Sequence, residues 1–324
     1  MPTWSEILKE LLTQNNNGIP LDQTRRKYLA KTSVESGRDV ILYATAWTQK
    51  PDTPSNLLSI VDEDIQGLME VVYGLKNPNL DLILHSPGGS AEAAEAIVEY
   101  LRSKFDHIRV IVPQQAMSAA TMISCCADII VMGKHSFLGP IDPQMVIQTQ
   151  LGNQMAPAQA ILEQFEQAKI ECSDPKKMAA WLPMLGQYGP HLLVRCKNVS
   201  KMAEDLVSKW LRKYMFKEDE KGKEKAGLVA KWLADHKHFK SHGRHIARSE
   251  VVSRGLEVEP LEEDQNFQDN ILSVFHSTTH TFSMTPAVKI IENHLGRAFI
   301  KQSQAIPVIQ PQSVQPKPVQ PAKK

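Results

Sequence analysis

The stretch Asp81–Gln144, DLILHSPGGSAEAAEAIVEYLRSKFDHIRVIVPQQAMSAATMISCCADIIVMGKHSFLGPIDPQ, decides the fold. It opens on a short apolar run, Asp81–His85, that ends in Ser86-Pro87-Gly88-Gly89. From Ser90 the period changes: Ala94, Ile97, Val98, Leu101 and Phe105 recur at the 3.6-residue spacing of a helix with one apolar face. A second apolar run, Ile108–Val112, passes through Pro113 into a small-residue helix that opens at or near Ser118. A third run, Ile129–Met132, closes the unit. Strand, glycine turn, helix, strand, helix, strand predicts a parallel sheet with right-handed crossovers.

Two features of this stretch bear on chemistry. Paired glycines at a strand end let the backbone take positive φ and approach a ligand closely, with N–H groups free to bind an anion. Ser118 sits where the second strand turns into a helix, among Met117, Ala119 and Ala120. A hydroxyl there serves either as a nucleophile beside an oxyanion hole or simply as a helix N-cap. Spacing alone leaves both open.

The run resembles the core of the Clp-fold serine peptidases, which include the Clp-type, signal-peptide-peptidase-A and serine dehydrogenase proteinase (SDH) families. The likeness to the SDH family extends from about Arg38 to Ile300. It is carried by His85-Ser86-Pro87-Gly88-Gly89, Met117-Ser118-Ala119-Ala120-Thr121, Gly139-Pro140-Ile141-Asp142-Pro143-Gln144 and Thr285-Pro286-Ala287-Val288-Lys289-Ile290-Ile291-Glu292. It implies a Clp/crotonase-like spiral of βαβ units with a mainly parallel sheet and a helical C-terminal region. It also implies a serine endopeptidase that cleaves unfolded or extended polypeptide by acyl transfer, with no cofactor. Ser118 is then the nucleophile, and main-chain N–H groups of Gly88, Gly89 and Ala119 form the oxyanion hole. Two other functions suit the same fold: a crotonase-like acyl-CoA enzyme, which needs no nucleophilic serine, and a non-catalytic oligomeric scaffold.

For the base, the residues offer a lysine. Pro157 starts a helix whose apolar stripe is Ile161, Phe165, Ala168 and Cys172, and Lys169 lies at its edge, about 80° from Ile161. Burial there lowers an amine's pKa towards a base's range, whereas a snorkelling lysine keeps its head in water. The resemblance weights the first reading. Signal-peptide-peptidase-A-like members use a Ser–Lys dyad, and their lysine falls some thirty residues beyond the turn that Gly139 matches, which is the position of Lys169. The histidine of a Clp-type triad aligns near Asp142, an acidic residue here. His135 and Asp142 are reserve candidates.

Composition bounds the rest. The 324 residues carry a net charge of +1, which gives no electrostatic case for nucleic acid or a membrane surface. Cys125, Cys126, Cys172 and Cys196 show no CxxC spacing and read as small hydrophobes. Met1–Leu12 is amphipathic but carries Glu6, Lys9 and Glu10, which breaks a signal-peptide core, so the expected place is the cytoplasm. No GxxxxGK[ST] motif is present. The expected partners are a polypeptide substrate and further copies of the chain, as a trimer or larger.

The expected organisation is an N-terminal helical arm (1–37), a peptidase core (38–196), a helical C-terminal part (197–302) and a disordered Pro/Gln-rich tail (303–324). Asp39–Trp47 reads as the first core strand, and Leu57–Val72 as one helix with Asp62, Glu63 and Asp64 on a solvated face. Val146–Met155 reads as a hairpin, and Val199–Tyr214 and Phe267–Phe282 as amphipathic helices. His276 and His280 fall opposite the Phe267–Phe282 stripe, as a polar surface or subunit contact rather than a zinc pair. His236, His238, His242 and His245 form a loop-like basic segment with no carboxylate at ligand spacing, so no metal is expected.

Overall fold

The computed structural model describes residues 2–13, 19–149 and 152–303. The Pro/Gln-rich tail from residue 304, and the polar break at residues 14–18, lie outside them. The strands are β1 (Asp39–Thr45), β2 (Asn79–His85), β3 (His107–Val112), β4 (Gln115–Ala116), β5 (Ile129–Met132), β6 (Phe137–Leu138), β7 (Gln144–Thr149), β8 (Gly152–Pro157), β9 (Ile246–Ala247), β10 (Val258–Pro260), β11 (Ala287–Asn293) and β12 (Ala298–Gln302). Seven of them form one sheet in the order β10-β5-β3-β2-β1-β11-β12. From β10 to β1 every pairing is parallel; β11 and β12 add on antiparallel. The fold is therefore the mixed α/β, mainly parallel architecture that the Asp81–Gln144 pattern predicts.

Central strands such as β1, DVILYAT, are buried along their whole length, as parallel strands covered on both faces must be. Ile41, Tyr43, Leu82, Leu84, Val110 and Val112 face one helical layer, which includes helices Ala91–Arg102, Ala119–Ser124 and Leu192–Lys213. Val40, Leu42, Ile83, Ile111 and Val288 face the other, formed by helices Leu21–Ser36 and Gln265–Met284. The β7–β8 hairpin packs with helices Ala158–Glu171 and Leu192–Lys213 in a small cluster of its own around Met145, Ile161 and Cys196. Helix Ala91–Arg102 starts where the glycine turn ends, because the Ser90 side chain accepts from Ala93 N at 3.1 Å and caps it.

Three expectations change. The helix expected over Leu57–Val72 is two helices, Ser55–Leu58 and Asp64–Val72, because Ile60 leaves the helical path to bridge Gly89. Asp64 is not on a solvated face: it is fully buried and paired with Lys289. His280 is also buried. The Trp4 ring of the first helix packs on it at a tilt, with ring centroids 4.1 Å apart, and His280 Nε2 lies 3.0 Å from the Trp4 carbonyl oxygen. The cysteines are free thiols, with Cys125, Cys126 and Cys196 packed inside as small apolar groups. No helix among the described residues is long and apolar enough to cross a membrane.

Candidate active site

Strands β2 and β3 end at the same edge of the sheet, the edge at which open α/β sheets receive ligands. They keep pairing past their regular ends: Ser86 N donates to Gln115 O (3.2 Å) and Met117 N donates to Ser86 O (3.0 Å). That continuation presses Gly88 against Ser118. A Cβ on Gly88 would lie 2.6 Å from Ser118 Cβ and 2.8 Å from Ala119 N, and φ is +97°, so only glycine fits.

Gly89 is held from the other side. Ile60 N donates to Gly88 O (2.8 Å) and Ser90 N donates to Ile60 O (3.0 Å). Peptide groups alternate in direction along an extended segment, so the Gly89 N–H faces away from Ile60. Gly88 N–H already donates to Ser86 Oγ at 3.2 Å. Gly89 and Ala119 have N–H groups with no acceptor among the described residues; that of Ala119 is one of the orphan donors of a helix start. Of the three amides expected for an oxyanion hole, these two are free to act.

Ser118, which crowds Gly88 and precedes Ala119, has φ 52° and ψ −119°, a region L-residues rarely occupy. Its side chain caps nothing, so the plain N-cap reading fails. Strain of this kind costs on the order of 1–3 kcal/mol and persists where the surroundings enforce it, as at the strand-to-helix elbow that presents a nucleophile. Here the Ser86–Met117 pairing and Gly88 enforce it.

Ser118, Gly88, Gly89 and Ala119 share a cleft of about 440 Å³ with the apolar side chains Met122, Ile141, Met145 and Met202, and with His242. Behind His242 sits Asp142, nearly fully buried. Its Oδ1 lies 2.7 Å from His242 Nδ1 and its Oδ2 2.9 Å from His236 Nδ1, while Gln144 Nε2 donates to Oδ2 at 3.0 Å. Asp142 is fixed because Ile141 N donates to Leu233 O and Gly139 N donates to Thr121 Oγ1, which itself donates to Ala116 O beside the serine turn. The histidine segment therefore does have a carboxylate partner, about a hundred residues earlier in the chain. Neither the His spacing nor local periodicity signals it; the one hint in the sequence is an aspartate locked between Ile141 and Pro143.

The other candidates fall elsewhere. Lys169 is absent from the cleft lining; its side chain is 57% exposed and its Nζ is 2.7 Å from Glu166 Oε2. The structure thus does not bring Lys169 together with Ser118, because helix Ala158–Glu171 packs only through a narrow strip onto the hairpin and helix Leu192–Lys213. His135 also lies outside the cleft, near His276 of the helix on the other face of the sheet. Among the described residues no group of three or more His, Cys, Asp or Glu is arranged to hold a metal ion.

Directly before the turn, His85 is fully enclosed between Trp47 and Phe275. Burial in this apolar setting pushes its pKa down from 6.5 to about 4, and His276 falls to about 4 chiefly for the same reason, with His280 and His135 adding to it. Between the two values the unfolded chain binds more protons than the folded one, so stability is complete above about pH 6.5 and declines as pH falls towards 4. His85 alone accounts for about 3 kcal/mol over that window. Urea unfolding at pH 7 and pH 4.5 is expected to show this loss, and His85→Asn to flatten it; an unchanged slope in the variant contradicts the assignment.

A strained serine facing free main-chain amides at the open edge of a parallel sheet is the arrangement of the serine hydrolases. A model of the ClpP-like SDH-type serine proteinase family matches residues 60–268, and the chain belongs to that family. It aligns with two uncharacterized proteins of Methanocaldococcus jannaschii, at 30% identity over 201 residues and 31% over 179. Those alignments cover 62% and 55% of this chain but 60% and 51% of the relatives, so the match spans only a little over half of their length. Among solved structures, a serine-to-alanine mutant of the 1510-N membrane-bound stomatin-specific protease is similar with a TM-score of 0.36 and 14% identity, covering 62% of this chain and 74% of that one.

Proposed function

We propose that the protein is a serine endopeptidase that hydrolyses unfolded or extended polypeptide, with Ser118 as nucleophile and His242, oriented by Asp142, as the general base. The observation that carries the reading is the uncapped, strained Ser118 set against the free amides of Gly89 and Ala119, in one cleft with a histidine on a buried carboxylate. Family membership favours peptide-bond chemistry over acyl-CoA chemistry.

His242 gives its Nδ1 to Asp142, which leaves Nε2 to accept the Ser118 proton as Oγ attacks the carbonyl carbon. The carbonyl oxygen takes the negative charge and receives the Gly89 and Ala119 N–H groups, a contact that strengthens as charge develops. His242 then returns the proton to the leaving amine, and water, deprotonated by the same imidazole, releases the acyl group from Ser118. The second histidine, His236, holds the other carboxylate oxygen and stops Asp142 from rotating. An extended substrate laid beside the Gly88–Ser90 segment would gain main-chain hydrogen bonds, which suits loose side-chain preference.

The test is peptide release from an unfolded protein such as reduced casein. Wild type is expected to release peptides and folded Ser118→Ala none; equal release by both would overturn the proposal.

A further inference from the structure

We infer that the buried Lys289–Asp64 pair holds the Gly88–Gly89 turn in register with Ser118, which makes both side chains positioning residues for hydrolysis. The inference rests on the peptidase reading for its consequence in rate, and on hydrogen bonds alone for its mechanism.

Lys289, on β11, and Asp64, at the start of helix Asp64–Val72, are fully buried. Lys289 Nζ donates to Asp64 Oδ1 (2.6 Å), to Asp64 Oδ2 (2.8 Å) and to the main-chain oxygen of Ser59 (2.8 Å). Asp64 Oδ2 also accepts from Tyr43 OH (2.7 Å) and from Val61 N (3.0 Å). The two main-chain contacts flank Ile60. In the Ser59–Ile60 peptide group the carbonyl receives Lys289 and the N–H donates to Gly88 O. In the Ile60–Val61 group the N–H donates to Asp64 and the carbonyl receives Ser90 N.

Each of these two peptide planes is therefore gripped at one end by the ion pair and at the other by the glycine turn. Peptide dipoles bonded at both ends polarise one another, so the four contacts stiffen as a set. Gly89 itself has no room to drift towards the clamp, since a Cβ there would already lie 2.3–2.4 Å from Ile60 backbone atoms. A buried ion pair is a weak device for stability as such, because well-packed apolar side chains of the same volume do as well. Here its donors and acceptors end on the two peptide groups that set the direction of the Gly89 N–H.

Three variants test the clamp: Lys289→Met, the charge-balanced double Asp64→Asn with Lys289→Met, and Tyr43→Phe, which deletes one hydroxyl. Two readouts are needed, kcat and KM on an unfolded substrate, and amide hydrogen exchange of residues 86–91. The lysine variants are expected to lower kcat roughly ten- to a hundredfold, the scale of a weakened oxyanion donor, with KM within about twofold. Exchange of 86–91 should quicken while that of β1–β3 stays slow, and Tyr43→Phe should shift both readouts in the same direction by less. Asp81→Asn, which breaks the buried contacts to Arg38 and Arg109 near the start of β2, is the control: stability falls and kcat holds.

A folded double variant with wild-type kcat and wild-type exchange overturns the inference. So does an Asp81→Asn that loses kcat equally, since the effect is then general loosening. If the lysine variants do not fold, a Tyr43→Phe identical to wild type in both readouts overturns it. If wild type shows no Ser118-dependent hydrolysis, the peptidase reading falls, and the exchange data still decide the clamp.

Discussion

Ser118→Ala is expected to fold normally and to lose kcat by a factor on the order of 10⁴–10⁶, the scale seen when a serine nucleophile is removed while the oxyanion donors remain. The same position makes a second, opposite statement about stability. Ser118 holds φ 52°, and relief of that strain is worth about 1–3 kcal/mol, whereas the extra freedom glycine gives the unfolded chain costs about 0.5–1 kcal/mol. The first exceeds the second, so Ser118→Gly should unfold at higher urea than wild type by about 1 kcal/mol, with no activity. A gain in stability at the cost of function is what a residue held in place for chemistry gives. A Ser118→Gly variant that is both less stable and still active would contradict the account.

Asp142→Asn is expected to lose about 10⁴-fold in kcat, and His242→Ala, which removes the base itself, at least as much. The asparagine keeps the shape but offers an N–H as well as an oxygen, so the imidazoles it faces are no longer fixed with their Nδ1 protonated, and Nε2 is no longer the free basic nitrogen. KM should change little, since Asp142 lies behind His242 and touches no substrate. Lys169→Ala, beside them in the same assay, should match wild type, because its ammonium is in water with Glu166. Activity lost in Lys169→Ala and kept in His242→Ala would return the base to the lysine.

What the sequence makes legible here is local. In Asp81–Gln144 the apolar runs, the switch to helical period at Ser90 and the diglycine are all read within a few residues of the structure they form, and β2, β3 and β5 lie where they predict. The remainder depends on partners far along the chain. Leu57, Leu58, Val61, Ile65 and Leu68 satisfy a helical period, and nothing local reveals that Ile60 pairs with Gly88–Ser90 instead. Asp64, amid acidic neighbours, looks solvated until Lys289 arrives from β11. His280 sits opposite the aromatic stripe of its helix and is buried all the same, since Trp4 of the first helix covers that side. Lys169 is the converse: periodicity places it at the edge of an apolar face, but the face is wider than the surface it packs on.

The His242–Asp142 pairing fails to show in the sequence for the same reason. His242 and Asp142 lie a hundred residues apart in the chain, and they meet where helix Gly222–Leu233 docks its end on Ile141. An acid at Asp142, where a Clp-type histidine aligns, looks from the sequence like a missing base. In the structure its two oxygens hold the Nδ1 atoms of His236 and His242.

The most direct measurement is labelling with a fluorophosphonate, followed by mass mapping of the adduct. One adduct per chain is expected, on the peptide that contains Ser118, absent from Ser118→Ala and slowed in Asp142→Asn. An adduct on another residue, or none on a folded wild-type chain, would contradict it.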